Sequence, residues 1–343
     1  MLYVTTRDKY DAYTAARALQ PGRAPDGGFY QPYRMPQPDA EQVERILDKP
    51  FSQCVAEVLN LFFPGQLTGW DVEFCVGRYP VRMTFLGSKI LVAETWHNLE
   101  DRYALFEKNI CEKICGISVK ETPSWVAIAI RIAVLFGIFS DLRRNPGIRM
   151  DKPVDMAVAG GDFSALMSVW HARKMGLPIG NIVCSCNENT GAWDLIHLGQ
   201  LNTGAVAVRT TSPEADFAVP EHLERLIFNT LGVDEVTRFC QVCKRGGGYT
   251  LPKEQWEILR RGLYAAVISQ ERLNSIISNV ERTAGYVLGP YEALAYGGLM
   301  DYRAKTGDSS YALLLAERSP SCDGALVASA LQITQQELQK MLK

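Results

Sequence analysis

Little in this chain is extreme, and each absence removes a class of protein. No apolar run is long and unbroken. The longest, residues 124–140 (SWVAIAIRIAVLFGIFS), is interrupted by Arg131 and falls short of the ~20 residues that comfortably cross a bilayer. It is expected to be a buried helix of a soluble protein, with Arg131 meeting a carboxylate or carbonyl or lying at the edge of the buried face. Neither sign of charge dominates: 36 Lys+Arg against 38 Asp+Glu give a net charge of −2, which provides no basic field for a nucleic-acid backbone. Residues 1–10 are polar and charged, unlike the apolar core of an export signal; the expected location is the cytoplasm. There is no internal repeat and no low-complexity tract. With 47% hydrophobic and 22% charged residues, collagen-like and wholly disordered classes are excluded.

Nine cysteines, an odd number, are spread over 343 residues. Without an export signal they are expected as reduced thiols and not as a disulfide framework. Cys240 and Cys243 form a CxxC, and Cys184 and Cys186 a CxC, which together contain enough thiolates for a zinc ion. Neither pair has a partner at knuckle spacing, so the thiols are expected to be small buried hydrophobes and no metal is expected.

At ~150 residues per domain the length suggests two domains, or a large one with an appendage. The first eighty residues open with an extended segment, LYVTT, then a helical stretch over 10–19 and a turn, Arg23-Ala-Pro-Asp-Gly-Gly28, whose residues tolerate positive φ. Helical periodicity follows over 39–47 and 51–62, the second with Val55, Val58, Leu59 and Phe62 on one face. Two strands are predicted at VRMTFLG and KILVAET, then a helix with Tyr103, Phe106, Ile110 and Ile114 on one stripe. From Pro153 the texture is α/β: VDMAVAG runs into Gly160-Gly161 and a helix through Lys174. NIVCSC, a helix over 193–199 and a strand AVAVRT follow. Strand, turn, helix and strand in series are the pattern of parallel crossover units. Helices are expected to predominate over 221–273, with a Gly-rich turn at Gly246-Gly-Gly248, followed by a strand over 311–316 and an amphipathic helix at the end.

Several of these segments resemble a known family in order. Met1-Leu-Tyr-Val-Thr-Thr-Arg7 with Gly22-Arg-Ala-Pro-Asp-Gly-Gly-Phe-Tyr-Gln-Pro32 resembles the opening of threonine synthase, Y-x-S-T-R-G followed by G-L-A-P-D-G-G-L-Y-V-P. Val92-Ala-Glu-Thr-Trp-His97 is similar to its L-E-L-F-H strand, and Met175-Gly-Leu-Pro178 with Asn187-Glu-Asn189 to its M-G-L-P and T-N-E-N segments. Thr211-Ser-Pro-Glu-Ala-Asp216 and Leu223-Glu-Arg-Leu226 resemble S-P-S-M-D and F-E-R-L-L; Gly285-Tyr-Val-Leu288 and Pro290 resemble G-Y-x-L-D-P-H-T-A. The resemblance implies a fold type II (tryptophan synthase beta-like) α/β protein. It implies an N-terminal threonine-synthase-type domain over 1–80 and a large three-layer α/β domain with a mostly parallel sheet over 81–343.

The chemistry that the family implies is interrupted. Its pyridoxal phosphate is held by a lysine in H-G-P-T-x-A-F-K-D. Here that stretch is His97-Asn-Leu-Glu-Asp-Arg-Tyr-Ala-Leu105, and Ala104 stands at the lysine position, where no imine forms. Lys108 and Lys113 are displaced Schiff-base candidates, otherwise solvated helix charges. The family's phosphate loop, G-N-F-G-N at a helix start, corresponds to Gly160-Gly161-Asp162-Phe163-Ser164-Ala165. A carboxylate at Asp162 is expected to cap that helix and repel a phosphate dianion. D-P-H-T-A becomes Gly289-Pro-Tyr-Glu-Ala293, and a threonine near the cofactor ring corresponds to Glu317. The family's small mobile domain lies between the lysine and the phosphate loop, but Ala104 and Gly161 are only 57 positions apart. The small domain is therefore expected to be deleted.

The expectation is a threonine synthase-like protein that has lost catalysis, expects no cofactor, and acts as a binding, scaffold or regulatory homologue. Its partners would be a second copy (a dimer), another biosynthetic protein or a small metabolite, with residues 124–140 the candidate for covering the vacated face. His97, Gly160, Gly161, Asp162, Ser164, Asn187, Glu292 and Glu317 are the candidate ligand-binding residues. The alternative is an enzyme of amino-acid metabolism. It would be either a carbon–oxygen lyase using a displaced lysine, or an acid–base catalyst built from His97, Asp101, Arg102, Asp162, Glu292 and Glu317.

Overall fold

The computed structural model describes residues 1–343 except 20–21, 66, 77–80, 88, 96–101, 116–123, 149–150 and 343. The first part comprises β1 (Tyr3–Thr5), α1 (Ala15–Ala18), β2 (Tyr30–Pro32), α2 (Ala40–Leu47), α3 (Phe51–Phe62) and α4 (Gly69–Val76). β3 (Arg82–Phe85), β4 (Ile90–Glu94), α5 (Arg102–Cys115) and α6 (Ser124–Arg144) follow. Then come β5 (Val154–Ala159), α7 (Ser164–Lys174), β6 (Ile179–Cys186), α8 (Gly191–Leu198), β7 (Gln200–Asn202), α9 (Leu223–Leu231), α10 (Val233–Arg245) and β8 (Gly248–Thr250). The chain closes with α11 (Lys253–Leu259), β9 (Leu263–Val267), α12 (Gln270–Ala284), α13 (Pro290–Thr306), β10 (Ala312–Ala316), α14 (Gly324–Leu331) and α15 (Gln335–Met341).

Six strands make one sheet in the order β3-β4-β10-β5-β6-β9. β3 is antiparallel to β4, and the other neighbours are parallel. Successive side chains of a strand point to opposite faces, and here both faces are apolar. Leu91, Met156, Val158, Ile182 and Leu313 join the core built with α6 and α7. Ile90, Val92, Ala157, Val183 and Leu314 join Ala295, Leu299 and Tyr302 of α13. A parallel sheet covered on both faces is the three-layer α/β arrangement. The larger core runs from Tyr3 and Leu59 through α6 to Leu226, so the first eighty residues share it with the rest.

Local chemistry explains the helix ends. Asp39 and Gln42 form a capping box on α2, and Ser269 accepts the Arg272 amide at the start of α12. α6 is the apolar run, and it is long and apolar enough to cross a membrane; 83% of that stretch is buried within the chain, as in a core helix. Gly137 lets it approach α3, since a Cβ there would lie 2.6 Å from the Phe51 ring. Arg131 meets a carboxylate, Glu317, at 2.8 Å. Residues 125–140 are thus packed mostly against their own chain, as expected of a buried helix.

Three segments differ from expectation. Helix over 10–19 shrinks to α1, because Tyr13 instead pairs its backbone with Tyr3. AVAVRT, over 205–210, is not a strand: the Val208 amide goes to Asn189 Oδ1 and the Thr210 amide to Asp216, so side chains take the bonds a ladder would need. The reading of 221–273 as predominantly helical missed β9, which forms the sheet edge, and β8, which pairs with β7. Within the helix predicted from the Tyr103 stripe, Ile110 and Ile114 of α5 are buried; the side chains of Tyr103 and Phe106 lie outside the described set.

Candidate functional site

Because β4, β10, β5, β6 and β9 run parallel, their carboxyl ends share one edge of the sheet. In open α/β folds ligands bind at that edge. The chain leaves β5 through Gly160 and Gly161. A Cβ at Gly160 would sit 3.3 Å from the Ser185 carbonyl, and one at Gly161, whose φ is +46°, 2.9 Å from the Glu214 carbonyl. Both glycines therefore serve close backbone approach. Asp162 was expected at the N-cap, but Phe163 holds that position, in left-handed backbone and with no side-chain cap. Asp162 acts from one residue earlier: its Oδ1 accepts the Ser164 amide at 2.8 Å. The carboxylate therefore sits on the first amide of α7, where the helix dipole favours negative charge. Its carbonyl accepts the His222 amide at 2.9 Å, and its Oδ2 lies 3.8 Å from His222 Nε2.

Asn187, at the end of β6, is buried and bonded on both sides of its amide. Its Nδ2 donates to Thr210 Oγ1, Ser212 Oγ and Asp216 Oδ1, and its Oδ1 accepts from Asn189. It anchors the loop that follows β7. Glu292 stands in the first turn of α13, buried, and burial pushes its carboxyl up to about 8, aided by Asp323 and Glu317. Burial thus favours its neutral form. Glu317, after β10, is held by Arg131. Beside them Arg318 pairs with Glu214, whose amide donates to Tyr291 Oη at 3.0 Å. Among the described residues of this edge, Asp162, Asn187, Glu317 and Arg318 are already partnered within the chain.

His97 and Asp101 lie outside the described residues. Ala104 falls in the first turn of α5. Lys108 and Lys113 are exposed; Lys108 lies 3.9 Å from Glu112, and Lys113 pairs with Asp71 at 2.9 Å, pulling the Asp71 carboxyl down to about 2. Neither cation is desolvated in a pocket, the usual condition for an activated lysine. Cys184 and Cys186 are buried, Cys240 and Cys243 half-buried on α10, and all four are free. Among the described residues no group of three or more His, Cys, Asp or Glu side chains is placed to hold a metal.

A second cluster emerged from the structure with no role assigned to it in sequence. Glu224, at the start of α9, accepts Thr6 Oγ1 and a forked pair from Arg7, Nε at 3.1 Å and Nη2 at 2.9 Å. Thr6 Oγ1 also accepts the Phe29 amide at 2.9 Å, and Asp26 the Gly28 amide at 2.8 Å. The neighbouring Arg225 is fully buried; it donates to the Tyr30 carbonyl at 2.7 Å and to His222 Nδ1 at 3.1 Å, and lies over Phe29 and Trp125. The N-terminal motifs thus dock the opening segment on α9. The co-occurrence of Thr6-Arg7, Asp26-Gly-Gly28 and Glu224-Arg225 was the signal available in sequence.

An open, mostly parallel sheet with its polar edge at the strand carboxyl ends, joined to this N-terminal lock, is a three-layer α/β fold shared with threonine synthases of known structure. The fold is threonine synthase-like, and its first part also matches that family in sequence. Residues 2–78 match the family described as Threonine synthase N terminus. The structure is similar to pyridoxal phosphate-bound threonine synthase from Brucella melitensis, with a TM-score of 0.81 at 19% identity over 100% of this chain and 94% of that one. Threonine synthase from yeast gives 0.81 at 17% identity over 99% and 93%. In sequence the chain is 24% identical to human threonine synthase-like 1 over 182 residues, 52% of this chain and 24% of that protein. It is 26% identical to Pseudomonas aeruginosa threonine synthase over 148 residues, 42% and 31% respectively. The matched stretches span about a quarter to a third of these curated relatives' lengths.

Proposed function

We propose that this threonine synthase-like chain does not carry out pyridoxal phosphate catalysis and works by binding. The observation that carries the reading is the Asp162 carboxylate on the first amide of α7. That is the position where the family resemblance would put the cofactor phosphate. Two anions a few ångströms apart at intermediate dielectric cost several kcal/mol, of order 4 at 4 Å. Ala104 at the lysine position and the outward ion pairs of Lys108 and Lys113 support the same conclusion: the residues present do not fit the cofactor. Between β4 and β5 the described residues form two helices and no strand, which supports a missing mobile domain. The chain then acts in the cytoplasm as a binding, scaffold or regulatory homologue, engaging a second copy, another biosynthetic protein or a small metabolite at the strand ends.

The test is absorbance of the purified protein with added pyridoxal phosphate. The expected result is a spectrum equal to the sum of protein and free cofactor. A Schiff-base band that borohydride bleaches, and that Lys108→Ala or Lys113→Ala abolishes, would overturn the reading.

A further inference from the structure

The opposite edge of the sheet, at the amino ends of β6 and β9, carries a cleft of about 350 Å³ that the strand-end site does not involve. Its size is at the small end of ligand pockets, which run from about 300 to 1,000 Å³. Arg260, Arg261, Tyr264, Tyr302, Asn181 and Glu257 line it. The two arginines sit on the turn between α11 and β9, and that turn is pinned. Arg173 Nη1 donates to the carbonyls of Gly180 and Gly262, both at 3.0 Å. Its guanidinium also fills the space a Cβ on Gly262 would need, 2.5 Å away.

The lining carries two arginines against one carboxylate, Glu257. Arg260, Arg261 and Lys305 take part in none of the chain's described ion pairs, although Glu257 is one of the lining residues. Arg260 lies 4.5 Å over the Trp256 ring, and Lys305 Nζ 5.6 Å over the Tyr264 ring. The aromatic wall is ordered edge to face, with Tyr264 and Tyr302 centroids 5.4 Å apart. The polar wall is oriented by its own bonds. Asn181 Nδ2 donates to Tyr302 Oη at 2.8 Å and to Asp155 Oδ1 at 3.3 Å, and Tyr302 Oη donates to Asp308 Oδ2 at 3.1 Å. The amide donors of Asn181 are therefore committed, and its Oδ1 remains an acceptor for a ligand N–H.

We propose that this cleft binds a small phosphate ester carrying a flat amino-bearing ring, of the size of a nucleoside monophosphate. The phosphate meets the Arg260 and Arg261 guanidiniums, whose planar forks suit it. The ring lies against Tyr264, and a ring amino group donates to Asn181 Oδ1. This assignment does not rest on the function proposed above.

Calorimetric titration of the full chain with AMP, adenosine and ribose 5-phosphate tests it. AMP is expected to bind with Kd below about 1 mM, and each half-molecule about tenfold or more weaker, as a loss of roughly 1.4 kcal/mol implies. Arg261→Glu is expected to weaken AMP about tenfold or more at unchanged Tm, while Lys253→Glu, at the start of α11 and outside the cleft, leaves it unchanged. No binding of AMP, equal binding of ribose 5-phosphate, or unaltered affinity in both Arg261→Glu and Arg260→Glu would each overturn the proposal. The last result would mean that the arginines serve only the carboxyl end of α11.

Discussion

His171 is a buried base that finds no hydrogen-bond partner among the described residues, and its removal has a measurable pH signature. It lies in the last turn of α7, fully buried, between Trp125 and Trp170 at ring distances of 5.7 and 5.1 Å. Neither ring nitrogen has a hydrogen-bond partner among the described residues. Burial, with the Arg225 cation adding to it, pushes the imidazole from 6.5 down to about 3. The folded pKa is thus below the unfolded one. As pH falls through 6.5 the unfolded chain takes up a proton that the folded chain refuses, so stability declines from there until about pH 3, where the folded state protonates too. At about pH 5 the loss is 1.5 pKa units at 1.36 kcal/mol each, or about 2 kcal/mol. His171→Phe keeps an aromatic ring in the same slot and removes the proton site. Its absolute stability mixes relief of two unbonded nitrogens with the packing of a slightly larger ring, so the pH difference is the quantity to read. Urea unfolding at pH 7.5 and about pH 5, followed by tryptophan fluorescence, is expected to show a loss about 2 kcal/mol smaller in the variant than in the parent. His222, depressed by its own burial and by Arg225, leaves the variant some dependence in the same window. An identical pH dependence in parent and variant would refute the reasoning.

Two other substitutions probe how the fold is joined. Glu224→Gln removes the charge that holds Thr6 and Arg7; with Glu224 only 5% exposed, a loss of about 2–3 kcal/mol is expected, along with faster proteolysis near residue 10. Unchanged stability would show that the opening segment is held by its apolar contacts alone. Ile128→Asp buries a carboxylate in α6 at a fully covered position, and a cost above about 4 kcal/mol is expected, seen as loss of soluble folded chain. A folded protein of normal Tm that merely fails to self-associate would place α6 at an interface after all.

Much of the fold was legible because it rests on local periodicity. The stripe of Val55, Val58, Leu59 and Phe62 gave α3 its predicted bounds, and the apolar runs VDMAVAG and NIVCSC are β5 and β6. β9 was missed because LYAAV, five residues between Gly262 and Ile268, carries no more pattern than a helix fragment. AVAVRT has strand composition, but its backbone is claimed by Asn189 and Asp216. That competition is invisible to a propensity, which counts neighbours in sequence and not hydrogen-bond partners in space.

The site divides in the same way. Sequence alone determined what each side chain can do: Ala104 has no amine, and Asp162 is a carboxylate wherever the chain places it. Tertiary structure decided what the remaining polar groups do. Asp162 sits one residue ahead of the cap it was expected to fill, Asn187 spends its amide on the 210–216 loop, and Glu317 finds the one arginine that interrupts the apolar helix. Glu224 meets Arg7 across 217 positions. A residue's type fixes what it can donate, accept or ionise, but the cost of burying it depends on groups that only the folded chain brings within hydrogen-bond reach.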